Sequence, residues 1–119
     1  MTRIKIDYGI DLGTTNSAVC RMESGSPIIK KTDYSNDTME SCVFFTNKKV
    51  IQVGYKAMNT YKKEALRSIG KTADNSNSFI EFKRTMGTDK KFHSSNMGKE
   101  FSSEELSAEV LKKLKSFIT

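Results

Sequence analysis

Tryptophan is absent from this 119-residue chain, proline and histidine occur once each, and cysteine occurs twice. One proline and seven glycines exclude a collagen-like or linker-dominated chain. Cys20 and Cys42 are too few for a disulfide framework. With His93 as the sole histidine they form no spaced metal set either. Both are expected as reduced thiols acting as small core residues, in a cytoplasmic protein. No apolar run approaches the roughly 20 residues of a membrane helix. Met1-Thr2-Arg3-Ile4-Lys5-Ile6-Asp7 lacks the apolar stretch of a signal peptide. Apolar residues are also sparse at 36%, which predicts a thin core and one small domain or part of a larger one.

Base exceeds acid, 20 residues to 14, for a net charge of +6. No basic run exceeds two residues, and acid is interspersed throughout. A nucleic-acid surface needs a basic stripe with interleaved aromatics, so neither nucleic acid nor membrane is expected as a partner. The charge reads as a solvated surface.

The first half reads as strands. Ile4, Ile6, Tyr8, Ile10 and Leu12 alternate with polar residues or Gly, and Ala18, Cys20 and Met22 alternate after the break at Gly13-Thr14-Thr15-Asn16. That is a hairpin, with Ala18 and Cys20 expected inward. Glu23 to Pro27 is a second turn, Ile28-Ile29 begins a third strand, and residues 32–40 read as loop. Cys42–Phe45 and Val50–Val53 flank Asn47-Lys48-Lys49 as another hairpin.

The second half reads as helices. Ala57, Met58, Tyr61, Ala65, Leu66 and Ile69 are expected on one face, with Gly70 as C-cap and residues 71–77 as loop. Ser78-Phe79-Ile80-Glu81 has the pattern of a capping box, predicting a helix with Phe79, Phe82 and Met86 inward and Gly87 at its end. Residues 88–101 read as irregular. Ser102-Ser103-Glu104-Glu105 is a second capping box, opening a helix with Leu106, Val110, Leu111, Leu114 and Ile118 on one face and Lys112, Lys113 and Lys115 toward its cation-favouring end. That helix reaches Thr119 with no stop signal, so its apolar face is expected to need a further surface and the chain to be an incomplete unit.

The segment Gly9-Ile10-Asp11-Leu12-Gly13-Thr14-Thr15-Asn16-Ser17 carries the chemistry. A strand leads into a Gly turn whose successive N–H groups can form an anion-binding nest. Gly13 would let the backbone approach an anion, Thr14 and Thr15 add hydroxyl donors, and Asp11 could hold a hydrated cation beside phosphate. No Gly-Lys-Ser/Thr follows, so it is not a Walker loop, and it is no dinucleotide fingerprint either.

Ile10-Asp11-Leu12-Gly13-Thr14-Thr15-Asn16-Ser17 resembles the first phosphate loop of the 70-kilodalton heat-shock chaperones, the DnaK-like family. Three further segments resemble that family in order. They are Ser41–Phe45 with Val53, Gly54 and Ala57; Phe82-Lys83-Arg84-Thr85-Met86-Gly87; and Glu104 to Lys115. The resemblance implies the N-terminal part of an actin-like (ribonuclease H-like) α/β ATPase fold, that is lobe I with subdomains IA and IB, hairpins followed by helices. Residues 1–31 and 102–119 would form the lobe base and 32–101 an IB-like unit. It implies ATP or ADP with Mg2+, and K+ as a further ion. Gly13, Thr14, Thr15 and Asn16 would bind phosphate, Asp11 would face the metal through water, and Lys83 would position the attacking water. The whole protein would be an ATP-dependent folding chaperone with unfolded peptide clients and co-chaperones, and this chain alone would be inactive.

Departures from that family fall at Asp37-Thr38-Met39-Glu40-Ser41, where a basic residue and Thr-Pro-Ser are usual. The stretch between Gly54 and Lys83 is longer, and that between Gly87 and Ser102 is shorter and expected to lack the family's strands. These departures keep two alternatives open: a non-catalytic interaction module whose basic second half binds an acidic partner, and a sugar-kinase-like member of the superfold.

Overall fold

The structure, a computed structural model, describes residues 7–67 and 77–118. The expected positions Ile4, Ile6, Ile69 and Gly70 lie outside them. Strand β1 (Tyr8–Leu12) pairs antiparallel with β2 (Asn16–Glu23), Leu12 opposite Ser17 and Tyr8 opposite Arg21. Ser24 and Gly25 both have positive φ, 51° and 81°, the two-residue turn that matches strand twist. It returns the chain as β3 (Ser26–Ile29) along β2. The expected loop over 32–40 ends in a two-residue strand β4 (Met39–Glu40), which pairs with Asn16 and Ser17 on the same edge of β2 as β3. A second sheet has the order β6-β5-β7, from Cys42–Phe45 (β5), Ile51–Val53 (β6) and Ser78–Ile80 (β7).

Helix α1 (Tyr55–Arg67) follows β6 and packs on β5, β6 and β7. Only Ala57 of its expected apolar face is buried, and Leu66 is 70% exposed. The five of these residues that are described do not share a face. Leu66 stands nine residues from Ala57, two and a half turns, and therefore on the opposite side.

The first capping box does not form. Ser78 lies in β7, opposite Phe44, and its hydroxyl bonds the Glu64 carboxylate. Glu81 is left-handed at φ 56°, caps nothing with its side chain, and precedes only a four-residue 3-10 helix, Phe82–Thr85. The aromatic and β-branched pair Phe79-Ile80 takes the strand because β5 offers it a partner. Residues 88–101 are not irregular either. They hold a hairpin, β8 (Lys91–Ser94) with β9 (Lys99–Ser102), closed by Gly98 at φ 65°. The expectation that this stretch lacks strands is therefore corrected.

The second capping box is present in full. Ser102 Oγ accepts from the Glu105 amide at 3.1 Å, and the Glu105 carboxylate accepts from the Ser102 amide at 2.9 Å. That amide bond holds the exposed Glu105 carboxyl below its ordinary pKa. Helix α2 (Ser103–Ser116) follows, and it buries Leu106, Val110 and Leu114 within the core of this chain. Its apolar face is thus already covered, by Val19, Met39, Val43, Phe45, Phe82 and Phe101 among others. Leu111 stays outside that face. Phe45 and Phe101 stack with ring centres 4.4 Å apart.

Candidate functional site

Strand parity builds the site. On β2 the buried side chains are Ser17 and Val19, not Ala18 and Cys20. Cys20 is half-buried on the other face of the sheet, where its Sγ lies 3.0 Å from where a Cβ on Gly9 would stand. Ser41, next to β5, is also buried and shares parity with Val43 and Phe45. Two hydroxyls thereby turn inward beneath the β1–β2 loop.

They close a ring. The Gly13 amide donates to Ser17 Oγ at 3.2 Å, and Ser41 Oγ donates to the Gly13 carbonyl at 2.9 Å. The two hydroxyl oxygens are 2.8 Å apart. A serine has one hydroxyl proton, and the Ser41 proton is committed to the carbonyl. Ser17 must therefore donate to Ser41. The circuit leaves Gly13 at its N–H and returns to its C=O, each bond polarising the next. The Ser41 amide adds a fourth tie, to the Thr15 carbonyl at 2.9 Å. In the sequence Ser41 stands out only through the segment Ser41–Phe45 and the departures at residues 37–41. Its signal was a small polar residue at an inward strand position.

Gly13 is required for a reason internal to the loop. A Cβ there would lie 2.0 Å from the Asn16 carbonyl oxygen. The space over its Cα is filled by the turn itself, rather than kept open for an anion.

With the loop strapped from below, its donors face outward. Thr14 is half-buried, and Thr15, Asn16 and Asp11 are exposed. Among the described residues, the amides and hydroxyls of Thr14 and Thr15 have no protein hydrogen-bond partner. Asp11 pairs with Ala18 in the sheet, and among the described residues its carboxylate forms no ion pair. This donor set fits an anion. Among the described residues no group of three or more His, Cys, Asp or Glu could hold a metal ion directly. A single exposed carboxylate fits a hydrated Mg2+, which keeps several of its waters.

Lys83 sits apart from the loop, in the 3-10 helix, with its side chain exposed. Phe82 beside it is 2% exposed and anchors that helix in the core, and Thr85 Oγ1 meets Ser103 Oγ at 2.6 Å. No hydrogen bond joins Lys83 to the loop. The two share one support, because α2 packs on both β2 and the 3-10 helix. His93 is exposed in β8 opposite Glu100. Cys42 is fully buried, and burial with nearby Glu40 and Glu64 pushes its thiol up to about 12.

The fold is that of a mixed α/β protein, with antiparallel sheets and two helices, and its β1–β2 turn presents outward-facing hydrogen-bond donors. A sequence profile of the Hsp70 protein family matches residues 7–119. The match takes in nearly the whole chain, and the chain belongs to the Hsp70 family. Its architecture is consistent with the N-terminal ATPase region of that family. Membership implies a chaperone ATPase domain, and with it ATP and Mg2+.

Proposed function

We propose that Gly13, Thr14, Thr15 and Asn16 form the first phosphate loop of an ATP-binding, ATP-hydrolysing domain in a heat-shock-type chaperone. The observation that carries this reading is the pair of partnerless Thr14 and Thr15 donors on a loop fixed by the Gly13-Ser17-Ser41 ring. Hydrogen bonds to a charged group contribute about 1.5–3 kcal/mol each, so a few such donors make a phosphate half-site. Asp11 holds the water shell of Mg2+ in this scheme, and the ion supplies charge neutralisation when bound. Lys83 orients the attacking water and stabilises charge on the terminal phosphate, the two contributions on which phosphoryl transfer mainly depends. Residues 1–31 and 102–119 serve as the lobe base and 32–101 as the IB-like unit. This chain supplies one side of the nucleotide clamp and alone turns over no ATP. Peptide clients, co-chaperones and a cytoplasmic setting belong to the same proposal for the whole protein.

The test is single-turnover ATP hydrolysis by the complete protein. Lys83→Ala should slow the chemical step by about 10²–10³-fold, the loss of one transition-state donor, with nucleotide affinity little changed. An unchanged rate would remove Lys83 from the mechanism.

A further inference from the structure

Helix α1 carries Lys56, Lys62, Lys63 and Arg67 against one acid, Glu64. Glu64 points the other way, to Ser78 on β7. None of the four cations has an ion-pair or hydrogen-bond partner among the described residues. Lys63 and Arg67 are one turn apart, a like-charge spacing that weakens a helix. Elsewhere in the described chain Lys30 is matched by Glu23, Lys31 by Asp37, Arg84 by Glu81, Lys112 by Glu109 and Lys113 by Asp33, and the doublets Lys48-Lys49 and Lys90-Lys91, which also lack an ion pair, bring only two cations each.

The same outward side carries apolar surface. Leu66, 70% exposed, is flanked one turn earlier by Lys62 and Lys63. Tyr55, three turns before it on that side, is 43% exposed and packs against Tyr34 with the rings tilted by 43° and centroids 4.5 Å apart. Meanwhile the side of α1 around Ala57 packs on the β6-β5-β7 sheet. A membrane-lying helix needs that broad apolar side free, so a lipid surface is disfavoured. A phosphate backbone would use the cations and leave Leu66 idle.

We infer that the outward face of α1 is a docking surface for an acidic protein segment that also presents an aliphatic side chain, carboxylates meeting Lys56, Lys62, Lys63 and Arg67 and the aliphatic group meeting Leu66. The surface is independent of the phosphate loop.

The probe is a fluorescein-labelled 16-residue peptide of four Glu-Glu-Leu-Glu repeats, titrated with this chain and followed by anisotropy. Lys63→Glu/Arg67→Glu should weaken binding about tenfold or more, since reversing two facing charges turns attraction into repulsion. Lys90→Glu/Lys91→Glu, the same change in net charge on β8 and the residue before it, should weaken it by less than about threefold, the residual effect of the overall field. Leu66→Ala should weaken the leucine peptide about threefold and leave an all-glutamate peptide of equal length unchanged. These exposed positions should leave the far-ultraviolet circular dichroism unaltered, which separates lost docking from lost fold. Equal weakening by both charge reversals would overturn the inference, as would no effect of Leu66→Ala. Tighter capture of a thymidine 16-mer or of phosphatidylserine vesicles than of the leucine peptide would also overturn it.

Discussion

Removing the Ser41 hydroxyl tests the loop directly. Ser41→Ala deletes the 2.9 Å bond to the Gly13 carbonyl and the 2.8 Å bond from Ser17. A hydrogen bond contributes a net ~1 kcal/mol, and a buried group left unpaired adds about 1–3 kcal/mol. Ser17 is 1% exposed, so water cannot readily replace the lost acceptor. The expected destabilisation is about 2–3 kcal/mol, or roughly 30- to 150-fold in the folded-to-unfolded ratio. In urea, with a slope of about 1–3 kcal/mol per molar for a chain of this size, the midpoint should fall by about 1–2 M. Ser17→Ala should cost less, because Ser41 keeps its bond to the carbonyl and the amide bond lost is the long one, 3.2 Å. The two single variants share the Ser17–Ser41 bond. The double variant should therefore lose less than the sum of the singles, by about 1 kcal/mol. Hydrogen exchange gives a second readout, since the Gly13 amide should lose protection in Ser17→Ala. A Ser41→Ala midpoint equal to wild type would refute the strap, and additive singles would refute the ring.

Two further perturbations are specific to particular atoms. Gly13→Ala should destabilise the chain by about 2–3 kcal/mol, as for forced overpacking, because its Cβ would meet the Asn16 carbonyl 2.0 Å away; an unchanged urea midpoint would mean that the carbonyl does not lie over Gly13. Cys42 is pushed from an ordinary 9.0 to about 12 in the folded chain, so between those values the unfolded chain has lost a proton that the folded chain keeps. Stability from this group is whole below pH 9, declines by roughly 1 kcal/mol per pH unit above it, and is gone once the folded thiol ionises. Urea midpoints from pH 8 to 10.5 should fall more steeply for wild type than for Cys42→Ala, and parallel profiles would show that the thiol ionises freely.

The two capping-box patterns show what the sequence could and could not reveal. Ser78–Glu81 and Ser102–Glu105 have the same spacing, yet only the second caps a helix. After Ser102, apolar residues recur at Leu106, Val110 and Leu114, three turns of a face that α2 buries. After Ser78 the pattern ends at Met86-Gly87, too short to outweigh the strand pairing of Phe79 with Val43. A cap signal is worth about 1 kcal/mol, and tertiary pairing with burial exceeds it. The strand hairpins were legible because alternation and turn residues agreed. Which face pointed inward was not, since Ala18-Cys20 and Ser17-Val19 alternate equally well, and the deciding partner, β4, is a two-residue strand with no signal of its own.

The parts of the site differ in the same way. Gly13, Thr14 and Thr15 could be proposed from sequence because a turn of this kind is local, with its donors contained in four residues. Ser41 could not, because its contribution exists only where β4 brings it against Ser17, 24 positions earlier. Lys83 is a third case. Nothing in its own surroundings distinguishes it from other exposed lysines, and its place is fixed from a distance by Phe82 in the core and by Thr85 against Ser103. Both supports converge on α2, whose Leu106, Val110 and Leu114 share one core with Val19 of the loop-bearing strand. Close-packed cores transmit displacement rather than absorb it. The separation between the loop and Lys83 is thus a property of α2 packing, although α2 itself contributes no residue to the phosphate loop.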